Sequence, residues 1–265
     1  MALSAIIPAP RRHITETNIV ITENNSVSTA IHRSITNPSL PGTDENEWQN
    51  TLADAPSWIP PDGPLLIVSP HPDDEVLGAG GLIHTWKALG RRVTVVSVTD
   101  GEAAYPQYRR LGQIRREELK EALQVLSDSP VLVVRLGIPD GRVAEHGSKL
   151  RSAVFSLLDK GTTVFVPYEQ DGHPDHDAAG RVCAELARVH GFTLARYPIW
   201  AWRHADPRTM SRVRWGKFIL STTARASKAN ALLCFSSQLF PYRRPPMVPD
   251  HAMAYFTRPY EAFLL

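Results

Sequence analysis

The chain has 265 residues, 43% of them hydrophobic and 21% charged, with a formal net charge of +2. That balance is ordinary for a soluble globular protein, is enough to bury a substantial core, and gives no reason to expect nucleic acid as a partner. No apolar run is long enough to span a bilayer.

Residues 1–60 are rich in Asn, Thr, Ser and Pro and read as an N-terminal extension, partly irregular, that packs on the domain. Its one candidate strand is Ile19-Val20-Ile21-Thr22, and Ala55-Pro56-Ser57-Trp58-Ile59-Pro60-Pro61-Asp62-Gly63-Pro64 reads as a punctuated linker at its end. A basic segment followed by a sustained apolar run is missing from the start, so no signal peptide is expected. From residue 65 the pattern is regular. Strands are expected over 65–69, 92–98, 131–135, 162–166 and 193–200, and helices over 78–89, 113–126, 150–158 and 177–190. Alternation of this kind predicts an α/β fold, a mostly parallel sheet with helices on both faces. In such folds ligands bind beyond the carboxyl ends of the strands. Cys183 and Cys234 make no disulfide framework and read as free thiols in a reducing, cytoplasmic compartment. Residues 238–265 are rich in Pro and aromatics, including Phe240-Pro241-Tyr242 and Tyr255-Phe256, and read as loops packed on the core. A substrate rim or a homo-oligomer contact is the alternative. Of Trp200, Trp202 and Trp215, at least two are expected in the core, although any could stack on a sugar.

Two short runs carry the chemistry. Ser69-Pro70-His71-Pro72-Asp73-Asp74-Glu75 follows the first strand, and Asp171-Gly172-His173-Pro174-Asp175-His176-Asp177 follows the fourth. Topology alone places both on one edge of the sheet. A catalytic zinc takes three protein ligands and leaves a fourth position open; His71, Asp74 and His176 make such a set. Asp73, Asp175 and His173 are then left over, as hydrolysis needs: a carboxylate base and a histidine that donates a proton or stabilises an oxyanion. Asp74 could instead cap the following helix. Asp-rich loops also suit Mg²⁺ or Mn²⁺ and phosphoryl chemistry, while two histidines favour Zn²⁺ or another transition metal such as Fe²⁺.

These runs, with Gly78-Ala79-Gly80-Gly81, resemble the PIG-L/LmbE-like family of zinc-dependent N-acetylglucosaminyl de-N-acetylases. Thr99-Asp100-Gly101-Glu102, Arg115-Arg116-Glu117-Glu118-Leu119 and the stretch 228–238 ending Ser-Ser-Gln also fit. The resemblance implies a Rossmann-like three-layer sandwich in residues 61–265. It implies a metal held by His71, Asp74 and His176, and removal of an acetyl group from a small N-acetylated amino-sugar compound. It further implies Asp73 as general base, His173 as acid or oxyanion stabiliser, Asp175 orienting His173, and Arg115 contacting substrate. Asp140, after the third strand, is placed to accept hydrogen bonds from sugar hydroxyls, and Glu75 is expected to brace the loop. A phosphoesterase or a non-catalytic carbohydrate-binding module on the same fold would be the competing readings. Binding alone needs neither Asp73 nor His173.

Overall fold

The computed structural model describes residues 42–240 and 246–265; the expected strand at Ile19-Val20-Ile21-Thr22 lies outside the described residues. Strands β1 (Leu65–Ser69), β2 (Val93–Ser97), β3 (Leu132–Arg135), β4 (Thr163–Pro167), β5 (Thr193–Tyr197), β6 (Trp215–Ile219) and β7 (Tyr260–Leu264) form one sheet. Their order is β3-β2-β1-β4-β5-β7-β6. The first five are parallel, and β7 runs antiparallel to both β5 and β6.

Alternate residues of the central strands feed two cores, which is why these strands are apolar without interruption. Leu65 and Ile67 of β1 join Val93, Val95 and Phe165 on one face, under the helices Asp74–Ala88, Leu111–Leu126 and Thr222–Leu232. Leu66 and Val68 join Val96, Val164 and Val166 on the other, under Gly147–Ser156 and Pro174–His190. The extension also reaches the core. Its helix Glu45–Thr51 is capped by Asp44, and Trp48 and Leu52 are fully buried in the first cluster. Arg258 clamps Glu45 through two hydrogen bonds of 2.7 and 2.6 Å while lying over the Trp202 ring.

The structure departs from expectation mainly after residue 200. The C-terminal stretch is not simply loop: it supplies the helix Asp250–Phe256 and strand β7, which inserts between β5 and β6. The helix after each run also starts earlier than its apolar periodicity, at Asp74 and at Pro174.

The helix Asp74–Ala88 breaks at Ala79 (φ −143°, ψ 18°). Two distant residues satisfy the freed backbone groups. Glu261 of β7 accepts from the N–H groups of Gly81 and Leu82, at 2.7 and 2.9 Å, and so caps the second half. Lys228 donates to the Leu77 carbonyl at 2.8 Å and pairs with Glu261 at 2.7 Å. Both side chains are buried, and breaking a buried pair by removing one partner typically costs about 3–5 kcal/mol. Lys228→Met is therefore expected to lower stability by about that amount in denaturant unfolding; an unchanged midpoint would show that the pair is not holding the break.

Candidate active site

The runs meet at the carboxyl ends of β1 and β4, which are neighbours in the sheet although β2 and β3 lie between them in sequence. This is the point where strand order reverses, the usual ligand position in open α/β sheets. Gly78 allows the first run's helix to come close: a Cβ there would lie 2.3 Å from the Tyr197 ring, whose hydroxyl donates to Val68 O at 2.7 Å.

Three acceptor atoms converge here. His71 Nδ1 lies 3.1 Å from His176 Nε2, and Asp74 Oδ2 lies 3.4 Å from the first and 3.2 Å from the second. The outer nitrogens explain the arrangement. His176 Nδ1 donates to Asp171 at 2.8 Å, which leaves its Nε2 lone pair facing inward. His71 Nε2 faces Asp140 at 3.1 Å and Asp175 at 3.3 Å, which leaves its Nδ1 facing inward. Three lone-pair atoms so close repel one another unless a positive charge sits among them. In the metal-free protein that charge comes from protons. Burial opposes a charged ring, but the surrounding carboxylates outweigh it, raising His71 well above the ordinary histidine value and His176 to about 9. Burial likewise works against ionised Asp74, and its two histidine partners overcome it and depress its pKa far below the usual range.

The donor set fits a tetrahedral divalent metal. Ligands about 2.0–2.1 Å from a tetrahedral centre lie about 3.3 Å apart, close to all three separations. A second cluster, His71 with Asp140 and Asp175, lies along the outer edge of the same ring. There the Nε2–H already sits between two carboxylates, so that cluster orients His71 rather than offering a vacant donor set. Asp74 does not cap its helix. The N-cap is Asp73, without a side-chain capping bond, and Asp74 Oδ2 accepts instead from His71 N at 2.9 Å.

Asp73 is the sole non-glycine among the described residues with positive φ, at 136°. Backbone strain of this kind costs on the order of 1–3 kcal/mol and collects at functional sites. The residue is buried, and burial followed by the neighbouring Asp74 charge raises its pKa well above the usual carboxylate range, against the pull of Arg115. Glu75 braces this turn as expected: Oε2 accepts from Ser69 Oγ at 2.6 Å and from Asp73 N at 3.3 Å, and burial pushes its carboxyl up to about 7. The His173 ring stands 4.7 Å from His71 and 4.9 Å from His176. Its Nδ1 accepts from Asp175 N at 3.3 Å, which puts the ring proton on Nε2. Burial and then the charged neighbouring rings hold its pKa well below 6.5.

Asp175 differs from the sequence reading. Its carboxylate was expected on His173 but accepts from Gly141 N at 2.7 Å and Val143 N at 3.0 Å and meets His71. It orients His71 and ties the second run to the loop after β3. Asp140 also turns to His71 and accepts from Ala103 N at 2.9 Å, while its own N–H is held by Glu102. Arg115 is not paired with Glu118 at the helix surface. Glu118 binds Ser236 and Ser237, whereas Arg115 is buried beside the cavity, with Nε and Nη2 lacking a partner among the described residues. Sequence reasoning missed Asp171. Fully buried, it accepts from the backbone N–H groups of Ile199, Trp200 and Ala201 as well as from His176. Its place at the head of the second run was the available signal.

These groups open into a cavity of about 310 Å³ lined also by Trp200, Arg203, Gln238 and Phe256. Trp202 and Trp215 stack together in the core, while Trp200 lies against His173. His251 is exposed.

Comparison with known proteins adds lineage. Residues 66–187 match the family model of GlcNAc-PI de-N-acetylase, PIG-L. The conserved protein TT1542 from Thermus thermophilus is 30% identical with a TM-score of 0.51, over 66% of this chain and 79% of its own. The chain belongs to the PIG-L/LmbE-like family. A family relative from Nocardia farcinica, 1D-myo-inositol 2-acetamido-2-deoxy-alpha-D-glucopyranoside deacetylase, is 34% identical over 48% of this chain and 52% of its own. The chain spans about half the length of the curated relatives first matched. N,N'-diacetylchitobiose deacetylase from Pyrococcus horikoshii shares the PIG-L/LmbE-like fold, with a TM-score of 0.54 over 94% of both chains at 20% identity. Among the described residues no helix is long and apolar enough to cross a membrane.

Proposed function

We propose that the protein is a metal-dependent amide hydrolase that removes the N-acyl group from a small amino-sugar compound. The observation that carries this is the inward-facing triangle of His71 Nδ1, His176 Nε2 and Asp74 Oδ2 with Asp73 and His173 beside it. Two imidazoles and one carboxylate favour zinc, or another transition metal such as Fe²⁺. Such a metal, when bound, supplies Lewis acidity and lowers the pKa of water.

The chain's own residues do the rest. Asp73 accepts a proton from the attacking water as the C–O bond forms; burial raises its pKa above the usual carboxylate value, which makes it a stronger base. His173 donates its Nε2–H toward the carbonyl oxygen as negative charge grows there, a contribution of the oxyanion-hole kind. The carboxylic acid of Asp73 then returns its proton to the departing nitrogen as the C–N bond breaks, leaving a carboxylic acid and a free amine. Arg115 and the remaining lone pairs of Asp140 hold the sugar hydroxyls on the β2–β3 side. Residues 61–265 form the catalytic unit, with residues 42–60 docked on it, and the two free cysteines support a cytoplasmic setting.

Protein purified without added metal is expected to carry one equivalent of zinc or iron, and to release acetate and free amine from at least one member of an N-acetylglucosamine panel. Stoichiometric Mg²⁺ or Mn²⁺ instead, with cleavage of phosphate esters and of no amide, would overturn the reading.

A further inference from the structure

The cavity is divided along the sheet edge. On the β2–β3 side stand Arg115, Asp140 and the backbone of Ala103, all polar. The three donor atoms lie in the middle, over β1 and β4. On the far side, toward β5 and the C-terminal segment, the wall is mostly apolar, with Leu77, Ile199, Trp200, Met247, Val248 and Phe256, and Arg203 and Gln238 are its polar members. Leu77 lies two residues beyond the first run. Ile199 and Trp200 are held by their N–H groups on Asp171. Met247 is fixed by its N–H on Gln238 O at 2.8 Å. The Gln238 amide in turn donates to Pro72 O, within the first run. Because all of the wall but Leu77 is built from β5's loop and the C-terminal segment, it lies across the donor triangle from the polar half.

We propose that the acyl group this site removes is longer than acetyl, an alkyl chain laid along the β5-side wall. The inference rests on the amide-hydrolase reading above, with the sugar held by Arg115 and Asp140. The scissile amide sits at the donor triangle. Its nitrogen side leads to the sugar on the polar half, so its carbonyl side leads to the apolar half. An N-acetyl compound offers that half a single methyl group and leaves most of the wall facing water. A chain of several methylenes covers it, and each buried methylene is worth about a three- to fourfold gain in affinity. Hydrolysis then adds water across the C–N bond and gives the free amino sugar and an alkyl carboxylate.

The test compares N-acetyl-, N-butanoyl- and N-hexanoylglucosamine as substrates of the metal-loaded protein, alongside hexyl N-acetylglucosaminide. Binding of acetate, butanoate and hexanoate is measured in parallel by calorimetry. The expected result is kcat/KM rising about three- to fourfold per methylene of the acyl chain, with carboxylate affinity rising in step. Met247→Gln, which keeps the side chain's length while making it polar, is expected to flatten both trends. Cleavage of N-acetylglucosamine with no gain from longer chains overturns the proposal and leaves the hydrolase reading intact. So does a gain seen only with the hexyl glycoside, which would assign the wall to the group attached to the sugar. Cleavage of no amide overturns the hydrolase reading and the acyl-group proposal with it, even where hexanoate binds more tightly than acetate.

Discussion

Asp73→Asn is expected to lower turnover by about 10²–10⁴-fold while leaving the metal in place. Asp73 is outside the donor triangle, so metal content after purification should match wild type. Stability separates this outcome from a misfolded variant. The folded pKa of Asp73 is raised, by burial first and then by Asp74. A carboxyl raised in this way favours the fold when protonated, and that contribution is lost as pH rises through the folded pKa. Ionising this group in the metal-free protein therefore costs stability, and the neutral amide should melt no lower than wild type. Asn also tolerates positive φ better than most residues, which suits the 136° backbone at this position. A variant that binds metal, melts normally and still turns over at the wild-type rate would remove Asp73 as the base.

Asp171→Asn should weaken metal binding without touching a ligand. Oδ2 of Asp171 accepts from His176 Nδ1 and Trp200 N, and Oδ1 accepts from Ile199 N and Ala201 N. An amide nitrogen at either position turns a donor toward donors. Each buried donor left in that state costs about 1–3 kcal/mol, and loss of a partner that orients a metal-binding histidine typically lowers metal affinity 10–100-fold. The expected result is a metal dissociation constant raised by that factor, with a melting temperature lower by on the order of 10 °C. Chelator competition and thermal melts read the two effects separately. Unchanged metal affinity would mean that His176 is positioned by its helix alone.

What the sequence made legible was local. The central strands β1, β2 and β4 announced themselves as apolar runs because both of their faces are buried, and glycines marked several of the turns. The candidate metal donors lay within two short runs whose placement followed from topology. Partnerships across the fold were not legible. Asp175 neighbours His173 in sequence, yet the helix that starts at Pro174 turns its carboxylate toward Gly141, Val143 and His71. Asp171 looked like one more loop acid because its four partners include three backbone groups from a segment 28–30 residues away. Strand β7 was hidden because its Tyr260-Glu261-Ala262-Phe263-Leu264 run carries a glutamate that is buried for the sake of a helix elsewhere. Nothing in the local pattern announces that debt.

Glu261 has a consequence for the order in which the molecule assembles. It caps the helix that carries Asp73 and Asp74, yet it lies 180 residues from Gly81 in sequence. During synthesis the first run, the strand before it and the glycine turn exist long before their cap does. At the commonly observed rate of about 5–20 residues per second, that gap is on the order of ten seconds or more. Over that interval the second half of the helix has two backbone donors without their native acceptor. Contacts at such separation also slow folding after release. The parallel strands can therefore assemble as a nascent body, while the corner that carries the donor triangle acquires its final geometry only when β7 enters the sheet.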